Sequence, residues 1–283
     1  MDIYDILKGV GLIIIKPLCK TERIILYSVL IVIVLVHIIH ALTLDRTIEY
    51  KEVSFYSAYL PEDMSGYTIA LITDTHAVPG EQLREIVQEL NGRQIDLLLL
   101  GGDFPSAGGA ERRTMEILSQ VNTTDGIYGV EGNHDNYSML FLAMSAYDIV
   151  PLSNSGVHIR EGFFLAGLED LWNRNPNIAA ATADAQPEDF ILLLAHNPDV
   201  TMRQDTTDID LILSGHTHGG QITLFGVLAP GVHLVSRYGQ RFLSGWSESR
   251  DGTPVYVSNG AGQYMPRVFA RPQVILMTLY SEQ

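Results

Sequence analysis

The chain has 283 residues, 46% hydrophobic and 18% charged, with a formal net charge of −15. That apolar share is enough to bury a sizeable core and excludes a disordered chain. The acidic balance and the lack of any Lys/Arg-rich block exclude binding of a nucleic-acid duplex through counterion replacement. An acidic protein that handles phosphates has to neutralise them locally, which bound metal cations do well.

Residues 1–23 read as a cytoplasmic or interfacial lead: Ile3–Leu18 is apolar, broken by Gly9 and Gly11 and ending near Pro17. The single cysteine, Cys19, allows no internal disulfide and no thiolate metal cage. It reads as a free thiol or, beside a membrane span, a lipidation site. Residues 24–44 (IILYSVLIVIVLVHIIHALTL) carry no Asp, Glu, Lys or Arg. At about 1.5 Å per residue this run crosses a hydrocarbon core of about 30 Å. A buried core helix is less fitting for a segment apolar on every face. A cleaved signal peptide has a shorter apolar run and an A-x-A-like site, absent before Leu44. The expectation is therefore a single-pass anchor in the cell membrane. His37 and His40 near its end read as interfacial, or as marks of a polar pathway. Lys8, Lys16, Lys20 and Arg23 precede the run while Arg46 and Lys51 follow it. That excess puts the N-terminus in the cytoplasm and residues 45–283, the globular domain, outside it.

From Tyr67 short β-rich runs alternate with helical spacing. Tyr67–Thr73 ends at Asp74, Gln82–Leu90 is helical, Ile95–Leu100 ends in Gly101-Gly102-Asp103, and Glu111–Val121 is helical. Ile127–Val130 leads into Glu131-Gly132-Asn133-His134-Asp135, followed by a helix over Tyr137–Tyr147. Val157–Arg160 and Phe163–Leu168 flank Glu161-Gly162 as a hairpin. A helix over Ile178–Ala185 precedes strands Phe190–Leu194 and Ile209–Leu213, which lead to His196 and to Gly215-His216-Thr217-His218. Pro254–Ser258 and Val274–Tyr280 complete an α/β protein with mixed sheets. Ligand sites in such sheets gather beyond the carboxyl ends of the strands, and five strand ends here deliver residues able to bind metal.

Taken together and in this order, Asp74-Thr75-His76, Gly102-Asp103, Gly132-Asn133-His134-Asp135, His196 and Gly215-His216-Thr217-His218 resemble the calcineurin-like metallophosphoesterase superfamily over roughly Tyr67 to Tyr280. The resemblance implies a four-layer α/β/β/α sandwich. Gly215–Gln221 and Val257–Gly262 are similar to its membrane-associated bacterial branch, which includes UDP-2,3-diacylglucosamine pyrophosphatases. One departure stands in the tail: Pro272 is followed by Gln273 where that branch often has Glu. By motif, the resemblance implies that Asp74, His76 and His218 hold one divalent metal and Asn133, His196 and His216 a second. Asp103 would bridge them; His134 would protonate the leaving oxygen or stabilise charge there, oriented by Asp135, the plainer alternative being that His134 and Asp135 only stabilise their turn. The donor chemistry agrees: imidazoles and carboxylates suit Mn, Zn, Fe or Co rather than Ca, and a carboxylate can bridge cations about 3.5–4 Å apart. The implied activity is hydrolysis of a phosphodiester or pyrophosphate bond, in a lipid-linked substrate. A soluble nucleotide or phosphomonoester substrate, or a non-catalytic metal-binding scaffold, are the alternatives.

Several polar residues stay open. His158 and His233 read as surface or turn residues. Asp170 is a candidate support for the ligands. Arg174, Arg237, Arg241 and Arg267 are candidates for a phosphate clamp or solvated side chains, and Asp199 reads as the cap of a helix starting near Val200. The apolar stretch Leu224–Pro230 reads either as core or as a loop that meets a bilayer or an acyl chain.

Overall fold

The structure is a computed structural model that describes residues 19–76, 78–105, 109–262 and 266–282. The expected lead over residues 1–18 lies outside them. The chain divides into two compact units, Met1–Ile39 and His40–Gln283. In the first, helix α1 (Lys20–Leu42) begins; none of its residues is buried. Its run of Ile, Leu and Val is long and apolar enough to cross a membrane by length and composition.

The second unit carries two six-stranded sheets. The first contains β1 (Glu49–Ser57), β2 (Tyr67–Ile72), β3 (Leu97–Leu100), β4 (Ile127–Gly129), β5 (Val150–Pro151) and β12 (Gln273–Ser281), in the order β1-β12-β2-β3-β4-β5. The second contains β6 (Ser155–Arg160), β7 (Phe163–Gly167), β8 (Phe190–Leu194), β9 (Leu211–Ser214), β10 (Gly245–Glu248) and β11 (Pro254–Val257), in the order β10-β11-β9-β8-β7-β6. Strands β2, β3 and β4 run parallel, as do β7, β8 and β9.

The apolar runs build layers because successive strand side chains face opposite ways. Ile69, Leu71, Leu97 and Leu99 meet Leu165, Leu192, Leu194 and Leu213 in the core between the sheets. Their neighbours Ala70, Ile72, Leu98 and Leu100 point outward, onto Leu83, Ile86, Met115, Leu118, Leu140 and Met144. Those residues belong to α2 (Gly80–Asn91), α3 (Ala110–Leu118) and α4 (Tyr137–Ala146). On the far face, Phe164, Leu193, Ile212 and Val257 are covered by Ile178, Ala181, Val200 and Phe242. That fourth layer is thin: one α-helical turn, α5 (Ile178–Ala181), and short 3-10 segments. The expected helix to Ala185 stops at Ala181, where Thr182 turns its hydroxyl back onto the Ile178 carbonyl at 3.0 Å. The α/β/β/α order expected from the motifs is the observed one.

Three strands escape a reading by apolar runs: β5, only two residues long and paired in parallel with β4, β1 and β10. β1 pairs in parallel with β12, and β10 pairs antiparallel with β11. Both lie at sheet edges, expose alternate residues and carry Glu or Lys, so no continuous apolar run announces them.

Leu192 lies fully buried between the two sheets. Leu192→Ala should lower the unfolding free energy by about 2–5 kcal/mol, measured by urea unfolding in detergent. A loss below about 0.5 kcal/mol would mean that the sheets do not close over it.

Candidate metal centre

The parallel strands end side by side, and each hands its next residues to one cluster. Asp74 and His76 follow β2, Asp103 follows β3, and Asn133 follows β4. His196 follows β8, while His216 and His218 follow β9. Asp74, His76 and His218 form one trio with ligand atoms mutually within 4.8 Å, and Asp103, His196 and His216 form another. Asp103 Oδ2 lies 3.6 Å from His76 Nε2 and 3.4 Å from His196 Nε2, so one carboxylate oxygen touches a ring from each trio. Asn133 Oδ1 stands 3.2 Å from His196 Nε2. Within the trios, His218 Nε2 is 3.3 Å from Asp74 Oδ1 and 3.0 Å from His76 Nε2; His216 Nδ1 is 3.2 Å from His196 Nε2.

The backbone is bent to achieve this. Asp74, His76, Asp103, His216 and His218 all have φ between 40° and 71°. L-residues avoid that region at a cost of roughly 1–2 kcal/mol each. Asp and His tolerate it better than branched residues do. Two glycines let the bent segments approach. A Cβ on Gly132 would sit 2.2 Å from Asp103 Oδ1, and one on Gly215 would sit 2.2 Å from Asp74 Oδ2.

Hydrogen bonds hold the donors in usable states. His196 Nδ1 donates to the Gly101 carbonyl at 2.8 Å, and His216 Nε2 donates to the Val235 carbonyl at 2.8 Å. Each bond fixes the tautomer that leaves the other ring nitrogen facing the cluster. Asp74 accepts the His216 N–H at 2.9 Å and the Thr73 hydroxyl at 2.8 Å. Burial by itself would raise both cluster carboxyls, but it is overcome: the His218 and His196 rings hold Asp74, and the His196 ring and the His134 N–H hold Asp103, below the usual carboxylate range. Burial pushes the His76 and His216 rings down and takes His218 to about 4, while Asp103 overcomes burial at His196 and lifts it to about 10. Two carboxylates held charged and four imidazoles, of which burial pushes His76, His216 and His218 toward the neutral form, give two nitrogen donors and one carboxylate per trio, a donor set that fits first-row divalent cations.

Asp135 does not orient the His134 ring. Its Oδ2 accepts the Asp103 and Gly132 N–H groups at 2.7 and 2.8 Å, and its Oδ1 accepts the Phe104 N–H at 2.7 Å. It thus braces the loop carrying Asp103, and burial followed by the Asp103 charge pushes its carboxyl up to about 7. His134 is exposed, its N–H donating to Asp103 Oδ1 at 2.8 Å and its ring centroid 5.5 Å from that of His76.

Other expectations are sharpened. Asp170 is buried and accepts the N–H groups of Trp172 and Asn173 at 2.9 and 2.7 Å. It thereby shapes a loop that an analysis by motif passes over. Asn173 Nδ2 donates to the Asn133 carbonyl at 2.6 Å, and Trp172 meets the His216 ring edge-on at 4.8 Å. The available signal was position: this loop, too, follows the carboxyl end of a parallel strand, β7. Arg267 is buried, so it is no solvent-facing phosphate clamp. Its Nη1 donates to the carbonyls of Asn259, Ala270 and His218 at 2.8, 3.0 and 3.3 Å, and its Nη2 lies 3.3 Å from His218 Nδ1. Arg174 pairs with Glu169 at 2.8 Å and stacks on Tyr137, and Arg241 donates to the Glu248 and Ser249 carbonyls. Asp199 is not a cap. Asn197 caps the short 3-10 segment Pro198–Met202, and Asp199 instead accepts from Ser236 Oγ and Arg237 N–H at 2.7 Å each. Gln273 donates from Nε2 to Glu49 at 2.9 Å, linking β12 to β1 at the point of departure from the resembled branch. His158 sits on β6 and pairs with Asp189 at 2.8 Å, and His233 is exposed.

Arg267→Met removes a charged donor from three buried carbonyls. It should lower stability by about 3 kcal/mol, read as a shifted urea midpoint. An unchanged midpoint would deny it the bracing role.

Sequence comparison agrees with the geometry. The profile of the calcineurin-like phosphoesterase family matches residues 67–220, from β2 through the turn carrying His218. A Helicobacter pylori protein named "Uncharacterized metallophosphoesterase" is 30% identical over 239 residues, covering 80% of this chain and 62% of its own length. A Bacillus subtilis protein of similar name is 27% identical over 253 residues, covering 83% of this chain and 86% of that protein. A Danio rerio protein named "Transmembrane protein with metallophosphoesterase domain" is 30% identical over 245 residues, covering 78% of this chain and 54% of that protein. The chain thus spans under two thirds of the Helicobacter and Danio relatives. A profile match that takes in the ends of β2, β3, β4, β8 and β9 makes this chain a member of the calcineurin-like phosphoesterase family.

Proposed function

We propose that this metallophosphoesterase is a membrane-anchored binuclear enzyme that hydrolyses a phosphodiester or pyrophosphate bond, with a lipid-linked phosphate as its substrate. The observation that carries the reading is the shared oxygen: Asp103 Oδ2 reaches His76 of one trio and His196 of the other. In this reading Asp74, His76 and His218 hold one divalent ion, Asn133, His196 and His216 hold a second, and Asp103 joins them. Manganese is the first choice, with zinc, iron or cobalt as substitutes. Bound there, such ions would make a nearby water more acidic and would stabilise charge on the phosphoryl oxygens.

The chain's own groups do the rest. Asn133 contributes a neutral oxygen, so no further negative charge meets the incoming phosphate. Asp103, on a loop that Asp135 braces by accepting the Asp103, Phe104 and Gly132 N–H groups, keeps both trios in register. His134, exposed at the rim beside His76, hands a proton to the leaving oxygen as general acid.

The membrane half of the proposal assigns residues 1–23 to a lead, 24–44 to a single-pass anchor and 45–283 to the phosphoesterase domain, lying outside the cytoplasm. Support comes from α1, from the flanking Lys/Arg excess, and from relatives named as transmembrane proteins. A lipid-linked substrate is supported by a cavity of about 890 Å³ that opens beside His76, His134 and His218 and is lined largely by apolar groups such as Phe104, Ile222 and Leu234.

Two variants test the site. Asp103→Ala should lose bound manganese, measured by elemental analysis after reconstitution; retention of both ions would remove the bridging role. His134→Ala should keep the metal and lose at least about tenfold in turnover on bis-p-nitrophenyl phosphate, and full activity would exclude it as general acid. A panel setting a lipid-linked pyrophosphate against soluble diesters and nucleotides decides the substrate. Equal or better turnover of the soluble compounds would reject the lipid assignment.

A further inference from the structure

The segment Leu211–Ser236 contains no Asp, Glu, Lys or Arg, in a chain of net charge −15. Its first part is strand β9 and the metal-site turn, but its second part is surface. Ile222, Leu224, Phe225, Val227 and Leu228 are exposed, Val227 by 77%, and Leu234 is exposed by 85%. Ordinary core packing, the simpler reading of Leu224–Pro230, is therefore not what the fold does with it. The turn is tightly built: Leu224 and Leu228 bridge, Thr223 Oγ1 accepts the Gly226 N–H at 2.7 Å, and the Thr223 N–H donates to the Val268 carbonyl at 3.0 Å. A preformed lobe that presents contiguous apolar side chains to water calls for a partner.

Its position within the His40–Gln283 unit says which one. Phe225 packs against Phe269 with ring centroids 5.4 Å apart, and Phe269 stacks on His40 at 3.9 Å. Asp45 fixes the joint by accepting His40 Nδ1–H at 2.8 Å and the Phe269 and Ala270 N–H groups at 2.9 and 3.2 Å. His40 lies two residues before the end of α1 at Leu42, where the apolar run gives way to Asp45 and Arg46. Phe225 is thus one stacked ring away from His40, close to where an anchor would leave the hydrocarbon, the zone in which interfacial apolar side chains insert. The charge-free composition removes the repulsion that this acidic protein would otherwise meet at an anionic surface.

We propose that the Ile222–Leu228 lobe is a second membrane contact, which inserts its apolar side chains into the bilayer surface and sets the cavity beside the metal centre against the lipid. Ile222, on the lobe, and Leu234 also line that cavity together with His76, His134 and His218. An apolar substituent can therefore pass from bilayer to cavity without crossing water. The proposal rests on the reading of α1 as a membrane anchor and not on the reaction catalysed.

The test uses the full chain with Cys19→Ser and one new cysteine labelled with an environment-sensitive nitrobenzoxadiazole dye. The sites are Val227→Cys on the lobe, Val32→Cys within α1 and Glu161→Cys at the β6–β7 turn, which lies at the opposite end of β7 from the metal centre. Each protein is reconstituted into phosphatidylcholine vesicles containing doxyl-labelled phosphatidylcholine. The expected result is that the lipid quencher dims the labels at 32 and 227, both inserted among lipids, while the label at 161 keeps its fluorescence. A quenched label at 32 with a label at 227 as bright as that at 161 would overturn the lobe while sparing the anchor. No quenching at 32 would overturn both. Shielding of 227 from aqueous iodide without lipid quenching would assign the lobe to a second copy or another protein, and would overturn the proposal as well.

Discussion

The position of one carboxylate governs this molecule. Asp103 Oδ2 stands between His76 and His196, and nothing in its own strand could keep it there, because β3 ends at Leu100 and the backbone at Asp103 is left-handed. The constraint is met from a neighbouring strand end. Asp135, beyond β4, takes the Asp103, Phe104 and Gly132 N–H groups onto its two oxygens, and Gly132 leaves room where any side chain would strike Asp103. Strain at the cluster is tolerated because the strands behind it are among the most deeply buried in the chain and over-determine where their ends lie.

From that constraint the rest follows outward. Three of the four imidazoles have their far nitrogen or their backbone tied to a different loop: His196 to Gly101, His216 to Val235, and His218 to Arg267. The two sheets therefore meet at the cluster as well as in the apolar core. Low dielectric strengthens every charge there, which is why burial and the Asp–His contacts pull in opposite directions at almost every member.

The same turns connect chemistry to surface. Val235, whose carbonyl fixes His216, belongs to the charge-free stretch that also forms the exposed apolar lobe. Phe269, which stacks on His40, lies two residues beyond Arg267, which braces the backbone of His218. The lobe and the helix end are thus each linked through neighbouring residues to a group that positions a side chain of the cluster.

By itself, the sequence determined which strands are buried, where they end, and which residues follow them, because apolar runs and the turns after them are local properties. Ile69 to Ile72, Leu97 to Leu100 and Phe190 to Leu194 could be read that way, as could the identities of Asp74, His76, Asp103, Asn133, His196, His216 and His218. Only the tertiary structure decided what depends on approach between distant segments. Asp135 braces a loop rather than a ring, Arg267 is buried behind His218, Trp172 covers His216, and the Leu224–Leu228 turn faces outward. Edge strands β1 and β10 were hidden for a related reason: with one face in water, their composition reflects the solvent they meet as much as the sheet they join.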